Sequence, residues 1–278
     1  MAGFFERIFA GRWIAGQNIE DALKEAKRLN GLGITAIINY LGEGYHKRDA
    51  VEDAVQTYLT LILEIRKRRL RADVSTKITE LGDLLDKKLV LENYAKIVNF
   101  AAKNKVFVWL DMEEHRFVDD TIKLYMLKVG KGNTGICIQS YLRRSLKDLK
   151  RLPANATIRL VKGAYSESRR VAFQSREETT ENYVLLMKLM FKRFRRFTIA
   201  THDSKMLQKA IELNRAYRRD VTYAMLKGVR NGYLVALAEK GEKTAVYVPF
   251  GRVWIPYSYR RLKERSNLKL ILRSLFGG

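Results

Sequence analysis

The sequence of 278 residues predicts an α/β fold, a (β/α)8 barrel of the TIM type. An extra helical segment should precede the barrel and a C-terminal helix should lie over its mouth. Three observations predict this. Short apolar, β-branched runs alternate with longer stretches of helical apolar period from residue 34 to residue 248. Eight such runs occur, each followed by a helical stretch, which suits a closed parallel barrel with right-handed crossovers. No run leads into a G-x-G-x-x-G turn, as the alternative, an open doubly wound sheet, would favour. The glycine-rich GKGNTG at 130–135 precedes a strand and reads as a connection. With no linker, low-complexity segment or shift in composition, residues 1–278 read as one domain.

The elements follow in order. Asn18 caps the leading helix, Asp21 stands at the capping-box position, and Gly31 lies beyond its end. Ile19, Ala22, Leu23, Ala26 and Leu29 form its apolar face. The first strand lies in ITAIINYLG (34–42), and residues 49–69 carry Val51, Val55, Tyr58, Ile62 and Ile65 at helical spacing. Strands are then expected at 72–78, 106–113, 135–141, 157–163, 197–203, 220–226 and 244–248. Helices are expected at 91–103, 121–129, 142–152, 177–195, 205–217 and 232–239. After the last strand, Pro249, Gly251 and Pro256 punctuate the chain before a final charged helix. Tyr257, Arg260, Arg261 and Glu264 stand on one face of that helix. Pointed at water, the face is a solvated surface with its own ion pairs; pointed at a cavity, it is a bidentate grip for a small carboxylate.

Composition narrows the partners. Lys plus Arg number 53 against 30 Asp plus Glu, a net charge of +23. Such an excess points to nucleic acid, an anionic membrane surface, acidic ligands or a heat-adapted mixed-charge surface. The basic runs at 66–69 and 193–196 sit at helix ends without interleaved stacking aromatics, so nucleic acid is not the expected partner. Cys137 is the one cysteine, which excludes a disulfide framework and a cysteine-rich metal site. No apolar run reaches the ~18 residues of a membrane span. The amphipathic N-terminus, with Phe4, Phe5, Ile8, Phe9 and Trp13, lacks a secretory pattern and reads as a docking helix, with a membrane-lying helix as the alternative.

In such a barrel, active-site groups sit at the carboxyl ends of the strands. Polar residues collect there: Lys77 on the second strand, Asp111 with Met112 on the third, and Gln139 on the fourth. Arg159, Lys162 and Gly163 follow on the fifth, Thr201, His202 and Asp203 on the sixth, and Tyr247 on the eighth. One such residue would be a satisfied core group, but repetition around the barrel predicts a shared polar pocket. Arg159 is the sharpest signal, because an arginine between apolar neighbours needs an anion or an electron-rich ring beside it. His202 reads as a hydrogen-bonded histidine, since no second ligand stands at metal spacing and His46 and His115 fall in loops. Glu113 and Glu114 read as a solvated turn, and Cys137 as a mid-strand thiol without a nearby base, which argues against covalent hydrolysis.

Several segments together resemble the proline dehydrogenase family, both the stand-alone enzymes and the matching domain of proline utilisation A. They are WLDMEE (109–114), IQSYLRRS (138–145), RLVKGAY (159–165), ATHD (200–203), YVPFG (247–251) and the YxxRRLxE helix (257–264). The resemblance implies a non-covalent flavin in the barrel mouth, FAD with FMN as the alternative. It implies oxidation of L-proline to Δ1-pyrroline-5-carboxylate by hydride transfer to flavin N5. It also implies a quinone-type acceptor reached at an anionic membrane surface, and a pyrroline-5-carboxylate dehydrogenase that takes the product. The expected location is the cytoplasm, peripheral on the inner face of the membrane. By the same resemblance, Asp111 and Arg159 are the catalytic positions, with Arg159 also at the flavin. Lys77, Leu226, Tyr247, Tyr257, Arg260 and Arg261 bind substrate, the paired arginines taking its carboxylate. Met112, Gln139, Lys162, Gly163, Ala164, Thr201, His202 and Glu264 hold the cofactor. The chain departs from the family in two places: Thr222, Tyr223 and Ala224 replace an EFQ pattern on strand seven, and Asn39 stands where strand one is usually acidic. Another flavin barrel, of the methylenetetrahydrofolate reductase type, is an alternative that would not need the paired arginines.

Overall fold

The computed structural model describes residues 12–254 and 257. Eight strands pair in parallel and in chain order: β1 (Thr35–Tyr40), β2 (Ala72–Thr76), β3 (Val108–Leu110), β4 (Thr134–Gln139), β5 (Thr157–Val161), β6 (Arg196–Ala200), β7 (Asp220–Leu226) and β8 (Lys243–Phe250). β8 closes on β1 through Thr35–Ala245 to Tyr40–Phe250, completing the predicted (β/α)8 barrel. α1 (Ile19–Gly31) leads into β1. The crossovers are α2 (Arg48–Lys67), α3 (Lys87–Asn104), α4 (Val118–Met126), α5 (Ser145–Arg151), α6 (Arg176–Arg193), α7 (Ser204–Tyr217) and α8 (Asn231–Glu239).

Local chemistry sets several boundaries. The capping box predicted for α1 is present, with Asn18 accepting from Asp21 N and the Asp21 carboxylate taking the Asn18 amide. Ser175 and Glu178 repeat the device at α6, while Asp86 and Asp203 cap α3 and α7. The Asp86 cap starts α3 four residues ahead of the apolar period that suggested residue 91. Gly31 closes α1 instead of following it, and Gly33 takes the left-handed conformation beyond the end. Among the strands β3 departs most from expectation: only Val108–Leu110 ladder, against 106–113.

Side chains alternate across each strand, so every strand feeds two apolar regions. Outward-facing residues such as Val74, Val108, Ile136, Ile158 and Ile199 pack under the helices in the main core. Inward-facing Ile37, Phe107, Trp109, Ala224 and Ala245 fill the barrel lumen, with Ala200 and Tyr247 beside them. A third cluster at the mouth joins Trp13 and Ile14 to Leu41, Val229 and Tyr257. Trp13 is 1% exposed, so this end of the N-terminal segment is docked on the barrel. Ala15 N donates to Pro249 O and Gly251 N to Gly16 O, tying it to β8. Phe4, Phe5, Ile8 and Phe9, and the expected C-terminal helix apart from Tyr257, lie outside the described residues. Among the described residues no helix is long and apolar enough to cross a membrane.

Candidate active site

A cavity of about 980 Å³ opens at the carboxyl ends of the strands. Inward-facing residues build its floor: Ile37 and Asn39 from β1, Cys137 and Gln139 from β4, and Arg159 and Val161 from β5. Ala200, Ala224, Leu226 and Tyr247 continue the ring from β6, β7 and β8. The strand-end residues Lys77, Asp111, Met112, Lys162, Gly163, Ala164, Thr201 and His202 form the rim, and Tyr257 reaches it from beyond β8. The structure thus brings together every predicted site residue within its described part. Arg260, Arg261 and Glu264 lie outside the described residues.

Arg159 is the centre of the polar network. It is 3% exposed. Its Nη2 donates to Asp111 Oδ1 and, at 3.0 Å, to Ser75 Oγ, while Nε donates to Cys137 Sγ at 2.8 Å. The guanidinium lies 4.9 Å from the Trp109 ring centroid and 5.3 Å from that of Tyr247, so both kinds of expected neighbour, anion and ring, are present. Burial opposes its charge, yet the neighbouring Cys137, Asp111 and Tyr247 leave its pKa raised. Its remaining nitrogen, Nη1, is buried without a hydrogen-bond partner. Asp111 has both oxygens engaged, since Tyr247 Oη donates to Oδ2 at 2.7 Å. Cys137 was read as having no nearby base; instead it donates toward Asp111 Oδ1 at 3.4 Å. Burial nevertheless pushes its thiol up to about 12, so it stays protonated.

A second network surrounds Lys77. Its Nζ pairs with Glu80 Oε1 at 2.9 Å and donates to Gly42 O and Asn39 Oδ1. Burial would lower the Lys77 pKa, but Glu80, Asp111, Glu43 and Glu113 together raise it, so the ammonium persists. Glu80 also accepts from Tyr58 Oη at 2.9 Å and from Thr76 Oγ1 at 3.2 Å. Glu113 is not a solvated turn residue: it is 3% exposed, and its carboxyl takes Thr79 N at 3.2 Å and Thr79 Oγ1 at 2.5 Å. Burial pushes it up to about 7. Gln139 Nε2 donates to Glu113 O, and His202 Nε2 accepts from Leu226 N at 3.0 Å, the core hydrogen bond anticipated for that histidine. Among the described residues no cluster could hold a metal ion.

Gly163 shows why the rim needs a glycine. Its φ is +112°, and a Cβ there would sit 2.1 Å from the Tyr141 ring. The sequence reading missed Glu80, Glu43, Ser75 and the contribution of Cys137. Two signals were available. Ser75 and Cys137 share the strand phase of Lys77 and Gln139, two residues away. Glu80 stands three residues after Lys77, within reach across a single 3-10 turn (Ile78–Glu80).

A family model described as proline dehydrogenase matches residues 22–270. Proline dehydrogenase 2 of Bacillus subtilis (strain 168) is 31% identical over 275 residues, covering 97% of this chain and 91% of its own length. Proline dehydrogenase 1 of Bacillus subtilis subsp. natto is 33% identical over 275 residues, with coverage of 97% and 91%. Among solved structures, proline utilization A (PutA) from Bdellovibrio bacteriovorus, inactivated by N-propargylglycine, matches with a TM-score of 0.88 at 22% identity. That match covers 98% of this chain but 34% of the other, so this chain spans about a third of that protein, and the likeness is one of fold. On the family model and on relatives above 30% identity over almost the whole length, the chain belongs to the proline dehydrogenase family.

Proposed function

We propose that the protein oxidises L-proline to Δ1-pyrroline-5-carboxylate with a flavin held in the barrel mouth, and passes the electrons to a quinone-type acceptor. The observation that carries this reading is Arg159 Nη1. A guanidinium nitrogen shut away from water without an acceptor costs on the order of 1–3 kcal/mol or more, and the residue that carries it, Arg159, lines a large cavity. An electron-rich ligand seated against it removes that cost. A volume of about 980 Å³ accommodates a tricyclic ring and a small imino acid together. The residues therefore fit a flavin.

Met112, Gln139, Lys162, Gly163, Ala164, Thr201 and His202 would hold it, joined by Glu264 and by Arg159. FAD is the expected form and FMN the alternative. When bound, the flavin supplies a hydride acceptor at N5. The rest of the work falls to side chains. Asp111 fixes Arg159 and Tyr247 in one orientation, so a permanent positive charge stands at the cavity wall. Lys77, Arg260 and Arg261 would take the substrate carboxylate. Cationic groups around the cavity also disfavour a second positive charge on the substrate. They thereby favour the neutral amine, whose lone pair lets a hydride leave the adjacent carbon. Leu226, Tyr247 and Tyr257 would wall the imino acid away from water.

Anaerobic titration tests the reading. The purified protein should be yellow, and L-proline should bleach its visible absorbance. Protein that stays colourless after incubation with FAD overturns it. Arg260→Met should raise KM for proline with little change in flavin content; an unchanged KM removes the carboxylate grip while leaving the flavin intact.

A further inference from the structure

The residues just before α1 reach the mouth of the barrel. Trp13 packs with Ile14, Leu41, Val229 and Tyr257, and Leu226 and Trp254 lie against the same cluster. Leu41, Leu226 and Tyr257 line the cavity, and the buried indole of Trp13 fills the layer behind them. Those three come from separate parts of the chain: the exit of β1, the last residue of β7 and the stretch that follows β8.

Hydrogen bonds fasten the same segment to two of those parts. Arg12 Nε donates to Gly228 O at 3.1 Å, and Lys227 Nζ donates to Arg12 O at 3.2 Å. Ala15 N donates to Pro249 O at 2.8 Å, and Gly16 O accepts from Gly251 N at 3.0 Å. Gly228 shows how close the approach is. Its φ is +76°, and a Cβ there would sit 2.2 Å from Arg12 O. Residues 12–16 therefore bridge the connection from β7 to α8 and the exit of β8. Loops at a barrel mouth move more than the strands that carry them, so a bridge between two of them restricts both.

We propose that Trp13 is a positioning residue for the substrate: it limits how far Leu226 and Tyr257 can yield, and so selects the ring size of the imino acid. The inference rests on the function proposed above, in which those two side chains wall the substrate. A wall one side chain thick needs a rigid backing, because Leu and Tyr both have rotamers that swing away from a small ligand. The indole supplies that backing as a large, stiff apolar surface. Removing it leaves a void into which the wall can retreat. A five-membered ring then loses contact, and a six-membered ring gains room. The ties from Arg12, Ala15 and Gly16 keep the indole in place while the loops around it move.

Steady-state rates of the full-length flavoprotein with L-proline and with L-pipecolate, whose ring is one methylene larger, test the proposal. Trp13→Ala should raise KM for L-proline and lower it for L-pipecolate, with flavin content unchanged. The preference for L-proline in kcat/KM should fall by about tenfold. Trp13→Phe should restore most of it and Trp13→Leu less, so the order holds even where the alanine variant folds poorly. Hydrogen exchange read by mass spectrometry needs no turnover. Trp13→Ala should lose amide protection at 226–230 and 249–254, while α4, across the barrel, keeps its own. Protection lost evenly around the barrel overturns the proposal, since Trp13 would then be a stabilising residue only. A parent flavin that L-proline does not bleach overturns the proposed function and the ring selection with it. A bleached parent whose preference survives all three substitutions overturns the ring selection alone.

Discussion

At the scale of single residues, the site divides into what is wrong for a core and what is wrong only for its neighbours. Arg159 is legible in the sequence because a guanidinium inside TIRLV contradicts its surroundings. Glu80 and Glu113 are not, because each follows a strand where a solvated turn is the ordinary reading, and only closure of the barrel buries them. Glu113 has a measurable consequence. Burial lifts its carboxyl from 4.5 to about 7. Between those values the unfolded chain ionises while the folded protein keeps the proton, so folding loses free energy as pH rises through this window. Below about 4.5 both states are protonated and the loss is absent; above about 7 it is complete, on the order of 3 kcal/mol. Glu113→Gln, which copies the neutral form against Thr79, should therefore gain stability relative to the parent between pH 5 and pH 8. Urea melts at both pH values measure it, and parallel pH slopes for parent and variant would count against a protonated Glu113.

At the scale of elements, the alternation of strands and helices was readable because each period persists for several residues, but lumen packing was not. Strand β4 carries Gly135 opposite Trp109 in register, and a Cβ there would sit 2.5 Å from the indole ring. The indole donates to Asp73 Oδ2 at 2.9 Å and lies beneath Arg159, so its place is fixed from both sides. Nothing in GICIQ announces that its glycine makes room for a tryptophan two strand positions below the cavity-lining Arg159. Gly135→Ala should cost about 2–3 kcal/mol by overpacking, whereas Gly130→Ala, with nothing within 4 Å of the added methyl, should fall within about 0.5 kcal/mol of the parent. Adding Trp109→Leu to Gly135→Ala should recover part of the loss. Chemical denaturation of the parent, Gly135→Ala, Trp109→Leu and the double variant gives the coupling, and strict additivity would show that the two positions do not meet.

At the scale of the whole molecule, the net charge was readable and its placement was not, because the ranking of connections by face exists only once the barrel closes. Eight connections lead from a helix into the next strand, at the base of the barrel opposite the cavity. Counted from the last four helical residues to the first strand residue, they hold 22 Lys and Arg against 5 Asp and Glu, and two effects of salt on that face oppose each other. Screening weakens exposed ion pairs such as Arg68–Glu20 and Arg144–Asp119, which contribute little singly. It also weakens repulsion among basic side chains crowded onto one face, and those outnumber their acidic neighbours by more than four to one. The Debye length falls from about 30 Å at 0.01 M to about 8 Å at physiological ionic strength, so repulsion across the base is long-ranged only in dilute buffer. Repulsion should win, and the melting temperature should rise by a few degrees as NaCl increases over that range. Arg69→Gln/Lys105→Gln/Lys131→Gln/Arg218→Gln should melt higher than the parent in dilute buffer and respond less to salt. Lys47→Gln, an exposed change at the mouth, should leave the salt response as it was. Calorimetry across the salt series decides it. A melting temperature that falls with salt in the parent would mean that the ion pairs, and not the basic face, set the electrostatic balance of the fold.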